Sequence, residues 1–107
     1  MPLTRDFKQT VRARVQREKR FRWALLKEAI DCLLAGDVET GKAVLRDYIH
    51  ATVGFIALAR ATDKSPKSLM RMLGPDGNPQ ADNLFAILKY LQEQEQIRLA
   101  VTARRTR

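Results

Sequence analysis

Phe55-Ile56-Ala57-Leu58-Ala59-Arg60-Ala61-Thr62 runs through Asp63-Lys64 into Ser65-Pro66-Lys67-Ser68-Leu69-Met70-Arg71-Met72-Leu73. Apolar residues recur at helical spacing on both sides of Asp63-Lys64. Ser65 followed by Pro66 is a helix-start signal. A serine oxygen accepts from the amides of a first turn, and proline suits the first helical position because its missing N–H would have no intrahelical partner. Residues 53–73 therefore predict two short helices joined by a tight turn. Two helices that cross steeply need a small residue where their backbones approach, and Ala59 is placed to supply it beside the inward-facing Leu58. Leu69, Met72 and Leu73 would close the unit from the second helix, leaving Ser65, Lys67, Ser68 and Arg71 on its outer face.

Downstream, Gly74-Pro75-Asp76-Gly77-Asn78-Pro79 cannot continue a helix and leads into a last one carrying Leu84, Ile87, Leu88 and Leu91. Ile97 to Thr102 is β-prone and without a second strand would need a partner segment, while Arg104, Arg105 and Arg107 are expected to be disordered. Upstream, Asp37 caps a helix bearing Val38, Leu45, Tyr48 and Ile49, with Lys42 and Arg46 expected on its other side and an end near Thr52. From Phe21, the residues Trp23, Leu26, Ile30, Leu33 and Leu34 mark a core helix that Gly36 terminates. Residues 4–18 read as a polar helix, capped by Thr4 or Asp6, with the thin apolar stripe Phe7, Val11 and Val15. The expected fold is all-α, a bundle of five to six helices with a helix-turn-helix at 53–73 and a short β-prone tail. Its divisions are a basic N-terminal helix over 1–22, a helical domain over 23–95 and a tail over 96–107.

At 107 residues, 45% hydrophobic and 30% charged, the chain has the composition of one soluble globular domain. One cysteine, Cys32, and no apolar stretch of spanning length point to a reducing cytoplasm and away from a membrane. The net charge of +8 is uneven: residues 1–22 hold eight Lys/Arg against two acids, residues 23–52 three against five, and residues 53–73 four against one. Basic regions on both sides of an acidic middle suit a polyanion, most often nucleic acid. Arg71 is the sharpest candidate, since an arginine can donate two bonds to guanine O6 and N7. Lysines and serines near a helix start more often hold phosphate.

The stretch Phe55–Thr62, Ser65–Leu73 and the loop Gly77-Asn78-Pro79 together resemble the Cro-type helix-turn-helix transcriptional regulators, and among them the addiction-module antidote proteins, the HigA-like antitoxins. The resemblance covers about residues 50–95. It departs in the turn, where many members have glycine and an aliphatic residue and this chain has Asp63 and Lys64. It implies a homodimer whose second helix lies in the major groove of double-stranded DNA, a repressor that regulates its own operon. It also implies a toxin partner, and the alternative reading is an antitoxin-like subunit whose N-terminal helices capture that toxin. The DNA-binding candidates are Lys64, Ser65, Lys67, Ser68 and Arg71.

Other chemistries find less in the sequence. His50 has no cysteine or carboxylate constellation at metal-ligand spacing, and Cys32, inside an apolar helix, reads as a buried small side chain. Glu28, Asp31, Asp37, Glu39 and Asp47 lie on helices of alternating charge, where solvated faces are the rule. There is no P-loop, dinucleotide fingerprint or serine elbow. No cofactor, metal or catalytic role is expected. Trp23, Tyr48 and Phe55 sit at core spacing rather than as a stacking platform for single-stranded RNA, and the stripe of Phe7, Val11 and Val15 is too small to insert in a membrane.

Overall fold

A computed structural model describes the backbone of residues 5–106 and the side chains of 9–106. Within it α1 spans Arg5–Arg17, α2 Lys19–Leu34, α3 Val38–Ala51, α4 Gly54–Thr62, α5 Pro66–Met72 and α6 Ala81–Glu95, with no strand among the described residues. This is the expected all-helical bundle, with six helices among those residues. The second helix begins at Lys19, two residues before the expected Phe21. Thr4, one of the expected caps, and the side chains of Asp6 and Phe7 lie outside the described residues.

Local signals place most boundaries. Gly36 adopts φ +85 after α2, a conformation open to glycine because it has no Cβ, and the Asp37 side chain accepts from the Thr40 amide at 3.3 Å to start α3. The hairpin of α2 and α3 is the most extensive helix pairing. It is close because Gly41 lies against Leu33, where an added Cβ would come within 2.8 Å of the leucine side chain. Leu26 and Ala29 of α2, Leu45, Tyr48 and Ile49 of α3, and Ile87 and Leu91 of α6 form one buried cluster, which α4 and α5 join through Leu58 and Leu69. Each fully buried leucine contributes about 1.5–3 kcal/mol of transfer free energy, so this cluster, and not helix propensity, holds the short helices in place.

Several expectations need correcting. Leu34 and Val38, expected on the apolar faces of α2 and α3, are exposed, because they flank the hairpin turn at residues 35–37, beyond the reach of the other helices. Cys32 is half-buried, not buried. Of the α1 stripe, Val15 is fully buried and Val11 half-buried. The tail forms no strand among the described residues: Ile97 and Leu99 pack against the chain's own core, and the Leu99 amide donates to Gln92 Oε1 at 2.8 Å. Gln96, at φ 57, turns the chain back at the end of α6 to make this possible. Arg104 and Arg105 are exposed, as is Val101. Lys42 and Arg46 do not lie on an outer face of α3, and their position bears directly on the candidate site.

Candidate nucleic-acid interface

The segment Gly54–Met72 folds as two short helices around a three-residue turn. Asp63 closes α4 in the left-handed region, φ 55 and ψ 43, where aspartate is among the better-tolerated residues after glycine. The Lys64 amide donates back to Ala59 O at 3.0 Å, Ser65 is extended, and its Oγ accepts from the Ser68 amide at 3.0 Å. Pro66 takes the first turn. The turn is therefore formed by Asp63 and Lys64 themselves, with one residue in the left-handed region.

Burial separates the faces of the two helices. Leu58, Ala59, Leu69 and Leu73 are buried, and Met72, expected in the core, is half-buried against it. Lys64, Lys67 and Arg71 are exposed. Lys67 and Arg71 are four residues apart, one helical turn, on the solvent side of α5, and Lys64 is exposed in the turn just before it. None of the three has a carboxylate within ion-pair distance among the described residues. Of the five candidates, three are thus exposed cations with no ion-pair partner among the described residues, two of them one turn apart on α5. The other two serve the backbone: Ser65 is the helix cap, and Ser68 supplies the capped amide while its side chain is half-buried. Met70, next to Arg71 in sequence, is exposed.

The C-terminal end of α5 carries what the sequence reading missed. The loop 74–77 folds back so tightly that a Cβ on Gly77 would lie 2.1 Å from Arg71 O and 2.4 Å from Met72 O, and only glycine fits. The loop's carbonyls are met from α3. Lys42, 1% exposed, donates from Nζ to Gly74 O at 2.9 Å and to Gly77 O at 2.7 Å, with its third direction toward Glu39 Oε2 at 2.9 Å. All three ammonium donors are used, which is how a buried charge is tolerated. Arg46 donates from Nη1 to Leu73 O. The signal was in the spacing: Lys42 stands three residues before Leu45 and seven before Ile49, on the apolar stripe of α3.

No group of three or more His, Cys, Asp and Glu stands together to hold a metal ion among the described residues, and no helix among them is long and apolar enough to cross a membrane. Against known proteins, the chain matches no family model, no curated protein and no solved structure.

Proposed function

We propose that this chain is a sequence-specific double-stranded DNA-binding protein, a cytoplasmic, autoregulatory transcriptional repressor that works as a homodimer and performs no catalysis. The observation that carries this reading is the pair of exposed, unpaired cations Lys67 and Arg71 on the side of α5 away from the buried Leu69, with exposed Lys64 in the turn before them. Arg71 is the base reader, donating in fork geometry to a guanine edge, and the two lysines hold backbone phosphates as point charges. One seven-residue helix reads only a few base pairs, and a two-fold copy reads a second half-site about 34–36 Å away. The C-terminal surface suits that copy. Leu34 and Val101, 67% and 78% exposed, both line a groove of about 300 Å³ between α2 and the tail.

Selection of bound duplexes from a random pool, followed by anisotropy titration at several salt concentrations, tests the proposal. A palindrome should emerge, and affinity should fall with salt at a slope of roughly −0.9 per phosphate contacted. Absence of a selected sequence, or affinity flat in salt, contradicts it. One observation favours a second role, as an antitoxin-like subunit: of the described α1 side chains only Val15 is fully buried, and Arg12 and Arg17 are exposed, as are Lys19 and Arg20 just beyond. Deleting residues 1–18 should then abolish neutralisation of a toxin encoded beside the gene while leaving DNA binding intact.

A further inference from the structure

We infer that Lys42, assisted by Arg46, is a positioning residue that sets how well α5 discriminates between DNA sequences, although neither side chain lies on the exposed face of α5. The inference rests on the proposal that α5 is the reading helix. Arg71 sits next to the end of that helix, only two residues before the last buried anchor, Leu73. Backbone bonds close the end of α5, the Leu73 amide donating to Leu69 O and the Gly74 amide to Arg71 O, each at 3.1 Å. Just beyond it, the carbonyls of the cap residue Leu73 and of Gly74 and Gly77 in the loop are taken by Arg46 and Lys42 from α3. Gly77 lies against Arg71 O, so the loop that Lys42 holds is in direct contact with the backbone of the proposed base reader. A bidentate contact depends on placement to a fraction of an ångström, whereas phosphate contacts by mobile lysines do not. Loosening the clamp should therefore degrade discrimination before it degrades general DNA affinity.

Lys42 is suited to this role. Its ammonium is spent on two loop carbonyls and on Glu39, a partner that is itself 66% exposed. An apolar residue of similar length would fill the same space on the stripe of Leu45 and Ile49 and leave the Gly74 and Gly77 carbonyls without the ammonium. The lysine thus contributes orientation of the loop where an apolar side chain would contribute only burial.

The test uses Lys42→Met and, because that change could impair folding, Arg46→Met as a second variant with a single bond to lose. Ile87→Val, a core change in α6 that removes none of the bonds to the loop, is the control for general destabilisation. Two readouts are taken. Amide exchange at Gly74 and Gly77 should speed by tenfold or more in Lys42→Met or Arg46→Met and stay at wild-type rates in Ile87→Val; unchanged exchange in a folded clamp variant overturns the clamp, whatever the DNA result. Anisotropy on the selected duplex and on a scrambled one should show at least a fivefold fall in their affinity ratio, with scrambled binding changed less than twofold. Equal losses on both duplexes, or the same fall in Ile87→Val, overturn the positioning role. Failure of the wild-type protein to select any sequence is a failure of the DNA-reading proposal instead, and the exchange readout still decides on the clamp.

Discussion

Arg22 and Glu95 are 73 residues apart in sequence and meet at 2.7 Å between Nε and Oε2. The second carboxylate oxygen accepts from Trp23 Nε1, also at 2.7 Å. Arg22 in turn donates from Nη1 to Val15 O at 3.1 Å, so one acid at the end of α6 ties down the start of α2 and, through it, the end of α1. Both charged side chains are nearly enclosed, at 14% and 13% exposure, and solvent screens them little. Glu95→Ala leaves an arginine and an indole N–H without their acceptor and should cost about 2–4 kcal/mol in urea unfolding. Glu95→Gln keeps a carbonyl acceptor and should cost less. A loss under about 0.5 kcal/mol, the size of an ordinary surface change, contradicts the assigned role.

Replacement of Arg71 separates base reading from phosphate holding. Arg71→Ala should weaken the selected duplex by about 1–3 kcal/mol and relax base preference, while Lys67→Ala should weaken all duplexes alike and make the salt slope shallower. Uniform loss in Arg71→Ala would reassign it to phosphate.

The turn before α5 rests on two residues with separable costs. Ser65→Ala removes the acceptor of the Ser68 amide and should destabilise by about 1 kcal/mol. Asp63→Val should cost about 1–2 kcal/mol because a β-branched residue resists positive φ, and Asp63→Gly should be neutral or stabilising. Thermal unfolding of the three variants gives the order; Asp63→Val at wild-type stability would contradict the left-handed turn.

Burial, followed by the charge of Glu95, raises the Tyr48 hydroxyl well above the ordinary tyrosine value of 10.0, with Arg22 opposing in part. The folded state therefore keeps a proton that the unfolded chain releases above that value. Stability should be insensitive to this group below pH 10 and fall as pH rises past it. Tyr48→Phe should flatten that decline. Urea midpoints measured from pH 8 upward for both chains check this, and parallel curves exclude it.

Cys32 is held above its ordinary value by partial burial and then by Glu28, whose Oε1 accepts from the thiol at 3.7 Å, with Asp37 and Asp31 adding to the effect. Less thiolate is present at any given pH than in an unperturbed cysteine. Alkylation by iodoacetamide at pH 8 should be slower than for a model peptide and faster in Glu28→Gln. Equal rates in the two chains would remove Glu28 from the account.

The boundaries of the helices were legible because their causes are local. Asp37 caps within three residues, Ser65 and Pro66 act within one turn, and Gly36 adopts its φ from its own lack of a side chain. The all-helical class and most of the core followed from spacing alone, and so did the solvent side of α5, where Lys67 and Arg71 are exposed and Leu69 between them is buried. The support behind that face was not legible from residue type. Lysine is assigned outward by default, and what brought Lys42 inward is a set of carbonyls on a loop 32 and 35 residues away. Ile97 and Leu99 likewise read as a strand in search of a partner because alternation describes only the chain itself; they pack instead on the core, and Leu99 lines a groove with Ile30 and Leu34 of α2, far earlier in the sequence. Arg22 and Glu95 carry no pairing signal in their own neighbourhoods, and their attraction exists only once α6 has returned to the corner of α1 and α2. Periodicity and capping are energies of one helix turn, visible in a few residues. Burying a charge is decided by whether distant groups can replace its water, and only the assembled bundle brings those groups within 3 Å.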